Sequence, residues 1–399
     1  SFKMKRLKKK LLKIFCVAVL CLMFGTAAFI VTSHIGIDKI EAYFSRFSYE
    51  TDFSADKPMS THYFNTLNNT EKAAYIAVFN VIRKHPEYIK IPELSDKEFN
   101  NVFFAVKNDN PDILCFADSC NMISFWGASF FYMTYSENVD QCDKMMQEME
   151  MIAEQIISDI SDGSDYEKEL IIHDRMINHC EYSEASDSSN AYGFLVEKKA
   201  VCSGYSRAAM LLFNKVGIDS FVITGTGISP TEGEVSHMWN VVIIDGNPYH
   251  LDITWDDPIS DSDEFLSHMY FNLTDELISV DHKNYSTELV CDNSEYNYFV
   301  YNSISFDEYN KKTVAAISVK LLDNISKGNN FIELEFKNDK AYNSALDSMV
   351  NNLSSTSDMY IIMNAIASEP DINLDTSHVN FSMDDSRRYI RLSFDAIQK

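Results

Sequence analysis

Three short runs hold the residues that can do chemistry. Lys199-Ala-Val-Cys-Ser-Gly-Tyr-Ser-Arg207 puts Cys202 at the start of an apolar-periodic segment. Ser236-His-Met-Trp-Asn240 holds His237, and Tyr249-His-Leu-Asp-Ile-Thr-Trp-Asp-Asp-Pro258 holds Asp252. A thiol, an imidazole and a carboxylate in this order offer a nucleophile, a base and an orienting group for acyl transfer through a thioester. The thiolate is the attacking form, and helix N-termini favour it through unpaired amides and the helix dipole. The same amides can receive a developing oxyanion. Gly204 is read as room for a substrate backbone. A lone cysteine is more often a small buried hydrophobe. That reading is taken for Cys115 and Cys142, while position and company set Cys202 apart.

A hairpin must bring the other two together. Asp245-Gly246 between apolar runs is a strong two-residue turn signal. If Ile244 pairs with Asn247, paired numbers sum to 491. His237 then stands opposite Thr254, with Asp252 two residues along on the same face. Such diagonal neighbours are about 7–8 Å apart at the backbone, within reach of long side chains. His250 shares that face and is a competing base. His173-Asp174, upstream on a helix, is read as a packed polar pair.

The positioning elements follow from capping and periodicity. Helices are expected over Glu71–Lys84, over Phe99–Lys107 after the Ser95/Glu98 capping box, and over Met145–Ile160. Another is expected from the Ser164/Glu167 box to about His179. Aromatic segments around Phe116, Ser124–Trp126 and Phe130–Tyr135 suggest a small sheet. Ser203–Lys215 reads as a helix with Tyr205, Ala208, Ala209, Leu212 and Val216 on one stripe and Gly217 as its stop. Phe221–Thr224 is a strand, Gly225–Val235 a glycine-bearing loop, and Met269–Leu273 a strand. Near the C-terminus, Lys312–Ser326, Phe331–Phe336, Lys340–Leu353 and Tyr389–Phe394 read as helix, strand, helix and strand. The expected fold class is α+β, in four parts: a basic flank plus signal or anchor over 1–37, a helical to mixed subdomain over 38–160, the catalytic domain over 161–298, and an α/β appendage over 299–399.

The first thirteen residues carry seven cations and no acid, and an 18-residue apolar run, Ile14–Val31, follows. Such a segment directs export, either as a cleaved signal peptide or as a membrane anchor. With those cations set aside, 27 basic residues face 59 acidic ones, a net charge of −32. That surface excludes nucleic acid as a default partner. Of eight cysteines, Cys16 and Cys21 lie in the apolar run. The other six are scattered, unlike a disulfide framework. Cys115 and Cys120 are near enough to pair but are not assigned. No Cys-x-x-Cys or His-Glu-x-x-His announces a metal, and no cofactor is expected.

These motifs, with Tyr166–Asp174 and Ala191-Tyr-Gly-Phe-Leu195, resemble the transglutaminase-like superfamily. The resemblance is to its bacterial transglutaminase/protease-like branch related to cytokinesis factors, and it covers about 166–275. It implies a papain-like fold with Cys202, His237 and Asp252 as triad, and no metal for the chemistry. By analogy Tyr192 or Trp239 would line the oxyanion or acyl site. Met238 and Ser203 depart from the commoner alanine and acidic residue. The resemblance implies a protein or peptide substrate, in or near the cell envelope, that is hydrolysed or cross-linked. The alternative is a catalytically silent binding or scaffold module that keeps the fold.

Overall fold

The computed structural model describes residues 52–54, 56–125, 128–160, 163–257, 266–285, 287–351, 354, 357–369 and 374–396. The basic flank, the apolar run Ile14–Val31 and most of the acidic loop after Asp257 lie outside these. No helix among the described residues is long and apolar enough to cross a membrane.

The chain forms two compact units. Of the described residues, the first comprises those up to 57 and within 66–106 and 116–136; the second comprises those within 58–65, 107–115 and 137–396. In the first, helix α1 (Asn69–Phe79) starts two residues before the expected Glu71 and ends at Phe79, short of the expected Lys84, where a separate single turn Ile82–Lys84 follows. Asn68 is the cap, accepting from the Thr70 and Glu71 amides while Glu71 answers to the Asn68 amide. Strand β1 (Tyr88–Pro92) has no clear sequence signal. Helix α2 (Asp96–Asp109) begins at the expected Ser95/Glu98 box, and its last turn belongs to the second unit. Strands β2 (Phe116–Phe125) and β3 (Ala128–Tyr135) complete an antiparallel sheet of order β1-β3-β2.

The second unit opens with helices α3 (Val139–Ile157) and α4 (Asp165–Ile177), the latter closed by the expected Ser164/Glu167 box. Helix α5 (Cys202–Lys215) is buried continuously from Gly204 to Phe213, rather than along one stripe. A helix enclosed on all sides needs small or apolar residues all round, and Gly-Tyr-Ser-Arg-Ala-Ala-Met-Leu-Leu-Phe meets that only because its polar members find partners. Gly217, at φ +85°, ends the helix region as expected.

Strands β4 (Ser220–Ser229), β5 (Gly233–Ile244), β6 (Asn247–Leu251) and β7 (His282–Lys283) form an antiparallel sheet of order β6-β5-β4-β7. The loop expected over Gly225–Val235 is mostly strand. Gly225 and Gly227 are extended positions where rings approach. A Cβ on Gly225 would lie 2.8 Å from Trp239, and one on Gly227 2.7 Å from Trp255. Glycine there marks close approach rather than a turn. Met269–Leu273 is not a strand; it contributes a single bridge, His250 to Leu273.

The C-terminal region forms its own sheet around its own apolar core. Strands β8 (Ser305–Phe306), β9 (Phe331–Phe336), β10 (Leu374–Asp384) and β11 (Tyr389–Ala396) lie in the order β8-β9-β11-β10. Helices α6 (Lys311–Ser326), α7 (Asp339–Ala345) and α8 (Asp358–Ala367) pack with it; α8 and β10 carry no sequence expectation. The expected Lys340–Leu353 helix is α7 followed by a wider turn over Leu346–Asn351.

Cys115 and Cys142 are joined by a disulfide, not separate buried thiols. Cys115 adopts a left-handed backbone (φ 68°) just before β2, out of reach of a sequence reading. The bridge spans 27 residues. Closing a loop of that size stabilises by about 3–4 kcal/mol in the chain-entropy account. Cys142→Ser is therefore expected to lower unfolding free energy by about that amount in urea titration, and to be matched by treating the wild-type chain with reductant.

Candidate active site

Cys202 is the first residue of α5, half-buried, and packs against the small apolar cluster of Met210, Val222 and Met238. The preceding residue, Val201, provides no side-chain cap to this end of the helix, and its carbonyl takes the Gly204 amide at 2.8 Å. The residues after the thiol hold this end in place. The Ser206 hydroxyl lies 2.8 Å from the Cys202 carbonyl and 2.9 Å from that of Met238, linking α5 to β5. Asn240 returns the link, donating its amide to the Ser206 carbonyl at 2.9 Å. Tyr205 donates to Asp257 at 2.6 Å, and Arg207 reaches Ser189 and Asn108.

The hairpin has the expected register. Ile244 pairs with Asn247, and the ladder runs on to Asn240 with Leu251. It stops there, so His237 and Thr254 do not pair. Asp252 leaves the sheet and caps the helical turn Ile253–Asp256, accepting from the Trp255 amide at 3.3 Å. Its other oxygen meets His237 Nε2 at 2.6 Å. The second imidazole nitrogen is not used by Asp252, and the Cys202 sulfur is near enough to act on the His237 charge. Asp252 is fully buried and His237 4% exposed. Burial opposes a charged His237, but the Asp252 carboxylate and the Cys202 sulfur outweigh it and raise its pKa to about 10. Burial likewise opposes the Asp252 anion, and the two imidazoles facing it hold it below the usual carboxylate range.

The second of those imidazoles is His282, absent from the sequence reading. Its Nε2 lies 3.0 Å from the Asp252 oxygen that binds His237, and its Nδ1 2.7 Å from Asp281. Asp281 is gripped by Arg387 through two bonds, at 2.6 and 3.1 Å, and by the Tyr270 hydroxyl. Thirty residues separate His282 from Asp252, with no motif between to connect them. Trp255 was also missed as a neighbour: its ring lies 5.1 Å from that of His237.

Three further sequence-predicted residues have the following surroundings. Gly204 faces no open space: a Cβ there would lie 2.3 Å from the Ser188 carbonyl, so its role is close packing of the chain on itself. Trp239 is fully buried and stacks on the His237 ring, with centroids 5.9 Å apart. The Tyr192 hydroxyl donates to Glu148 at 2.9 Å. The competing base His250 accepts from Trp239 Nε1 at Nδ1 and lies 2.8 Å from Asp275 through Nε2. Burial lowers its pKa. With Nδ1 accepting, the neutral ring carries its proton on Nε2 and has no lone pair left for a metal, although Cys291 lies close by.

Residues 150–253 match the transglutaminase-like superfamily. That segment is similar to a transglutaminase core over about a quarter of the chain. It takes in Cys202 and His237 and ends one residue past Asp252, within a mixed helix-and-sheet fold. No curated protein matches by sequence. Among solved structures, a transglutaminase is similar at 15% identity and TM-score 0.25, covering 43% of this chain and 52% of that one. A candidate cysteine protease of Cytophaga hutchinsonii is similar at 15% and 0.24, covering 34% and 61%. A candidate protease of Parabacteroides distasonis is similar at 11% and 0.20, covering 33% and 35%. The chain thus spans about half the length of the transglutaminase it matches.

Because the Gly204 Cβ position collides with backbone rather than a yielding side chain, Gly204→Ala is expected to cost about 1–3 kcal/mol. Denaturant unfolding measures this. A neutral result would mean that Gly204 faces open space.

Proposed function

We propose that this chain is an exported cysteine acyl-transfer enzyme acting on peptide or glutamine-type amides. The contact of His237 with both Cys202 and Asp252 carries the reading. The Cys202 thiolate adds to the carbonyl carbon, forming a C–S bond and moving an electron pair onto oxygen. Amides at the start of α5 receive that oxyanion. The His237 imidazolium gives its proton to the nitrogen, the C–N bond breaks, and an amine leaves a thioester behind. Water or a second amine then attacks; His237 takes its proton, and the thiolate departs. Water makes the enzyme a peptidase or amidase, and an amine makes it a cross-linking acyltransferase. Asp252 fixes the tautomer and orientation of His237 throughout.

The apolar run behind a basic flank supports export, with the segment either cleaved or kept as an anchor. The Cys115–Cys142 disulfide also supports it, since such bonds persist in oxidising compartments.

Incubation with cell-envelope peptides followed by mass spectrometry should show an acyl adduct on Cys202 that is absent in Cys202→Ala. No adduct and no amide turnover would favour a silent scaffold. Where turnover is found, it should decline as pH rises through about 10, where His237 loses the proton needed by the leaving amine. Asp252→Asn removes the charge that raises His237, so the decline should begin at lower pH. The rate should also fall by about 10³–10⁴, as for the equivalent change in a serine triad. An unchanged profile in that variant would contradict the proposed roles.

A further inference from the structure

A second group of imidazoles and carboxylates shares no residue with the first. His173 and Asp174 come from α4, Asp256 from the turn after Asp252, His268 from the segment beyond it, and Glu333 from β9. They form a chain. His173 Nε2 lies 3.1 Å from Asp256 Oδ2, and its Nδ1 3.0 Å from Asp174 Oδ1. His268 Nε2 lies 2.9 Å from the same Asp174 oxygen, and its Nδ1 2.6 Å from Glu333 Oε2.

The outer carboxylates fix both tautomers. Glu333 also accepts from the His268 backbone amide at 3.0 Å and the Tyr389 hydroxyl at 2.8 Å, so it acts as an acceptor and His268 Nδ1 as a donor. Asp256 accepts from the Tyr270 amide at 2.8 Å and the Ser267 hydroxyl at 3.3 Å, so His173 Nε2 is a donor in the same way. Neutral rings in these tautomers aim two lone pairs at one carboxylate oxygen. Three electron-donating atoms meeting in one place need positive charge between them: either an extra proton on each ring or one divalent cation.

We propose that His173 Nδ1, His268 Nε2 and a carboxylate oxygen of Asp174 bind a divalent transition metal, with zinc the best match. Two imidazoles and a carboxylate are a zinc donor set, and the three atoms lie within 4.8 Å of one another. Each ring gives its outer N–H to a buried carboxylate, the arrangement that orients metal-binding histidines. His173, His268, Asp256 and Glu333 are all buried, whereas the Asp174 side chain is 35% exposed and opens a path for the ion and a water ligand. The metal joins α4 to the His268 segment, which Glu333 ties to the C-terminal sheet. Its role is to fasten that sheet to the core, independently of any activity at Cys202.

The test is metal titration of the full chain, purified without a histidine tag and stripped with chelator. A Cys202→Ala background removes the half-buried Cys202 thiol as a competing ligand. One equivalent of Co²⁺ should bind with the visible absorption of a tetrahedral site, Zn²⁺ should displace it, and excess Zn²⁺ should raise the melting temperature by mass action. Asp174→Asn, isosteric and partly exposed, should fold and lose affinity by about tenfold or more. His268→Gln should lose binding as well. A stripped chain that takes up neither ion, or an Asp174→Asn chain that binds both like its parent, overturns the proposal and leaves protons holding the cluster.

Discussion

A carboxylate with no exposed surface must find donors for both its oxygens, and Asp252 sets that demand at the heart of the second unit. An unpaired buried charge costs several kcal/mol. Three donors meet the need: His237, His282 and the Trp255 amide. Each comes from a different place, namely β5, β7 and the helical turn after β6, so satisfying one side chain fixes three segments together. The pair at 2.6 Å then holds one face of His237 and leaves the other to Cys202.

Around that pair, the motif residues that do no chemistry keep the parts aligned. Ser206 and Asn240 cross-link α5 to β5 through main-chain carbonyls. Gly204 lets the chain close against Ser188, and Asp257 engages Tyr205. Gly225 and Gly227 make space for Trp239 and Trp255, whose rings both pack near the His237 imidazole. The run from Cys202 to Arg207 therefore works mainly as a brace, and its chemistry rests on one sulfur. The C-terminal sheet joins in through Arg387, whose grip on Asp281 orders His282 and so the far side of Asp252.

Sequence made the site legible where local rules apply. Asp245-Gly246 adopts left-handed backbone at both positions, which forces the tight turn, and the pairing sum that follows holds down to Leu251. It fails at Asp252, because that side chain caps the next turn and draws the backbone out of the ladder. The capping boxes at Ser95 and Ser164 mark helix starts correctly, since both partners lie within four residues. What stayed hidden depends on distance along the chain. His282 reaches Asp252 over 30 residues, Cys115 reaches Cys142 over 27, and His268 reaches Asp174 over 94. Glycine in β4 misleads for a related reason: its cause is a tryptophan ring from elsewhere.

The central claim is that His237 makes Cys202 a nucleophile. Burial raises the thiol pKa of Cys120 to about 11 and those of Cys180 and Cys291 to about 12, so these cysteines are internal references. Iodoacetamide modification at neutral pH, followed peptide by peptide in wild type and His237→Ala, addresses the claim directly. The account predicts that Cys202 reacts well ahead of Cys120 in the wild type and loses that lead in the variant. Equal rates for Cys202 with and without His237 would contradict it.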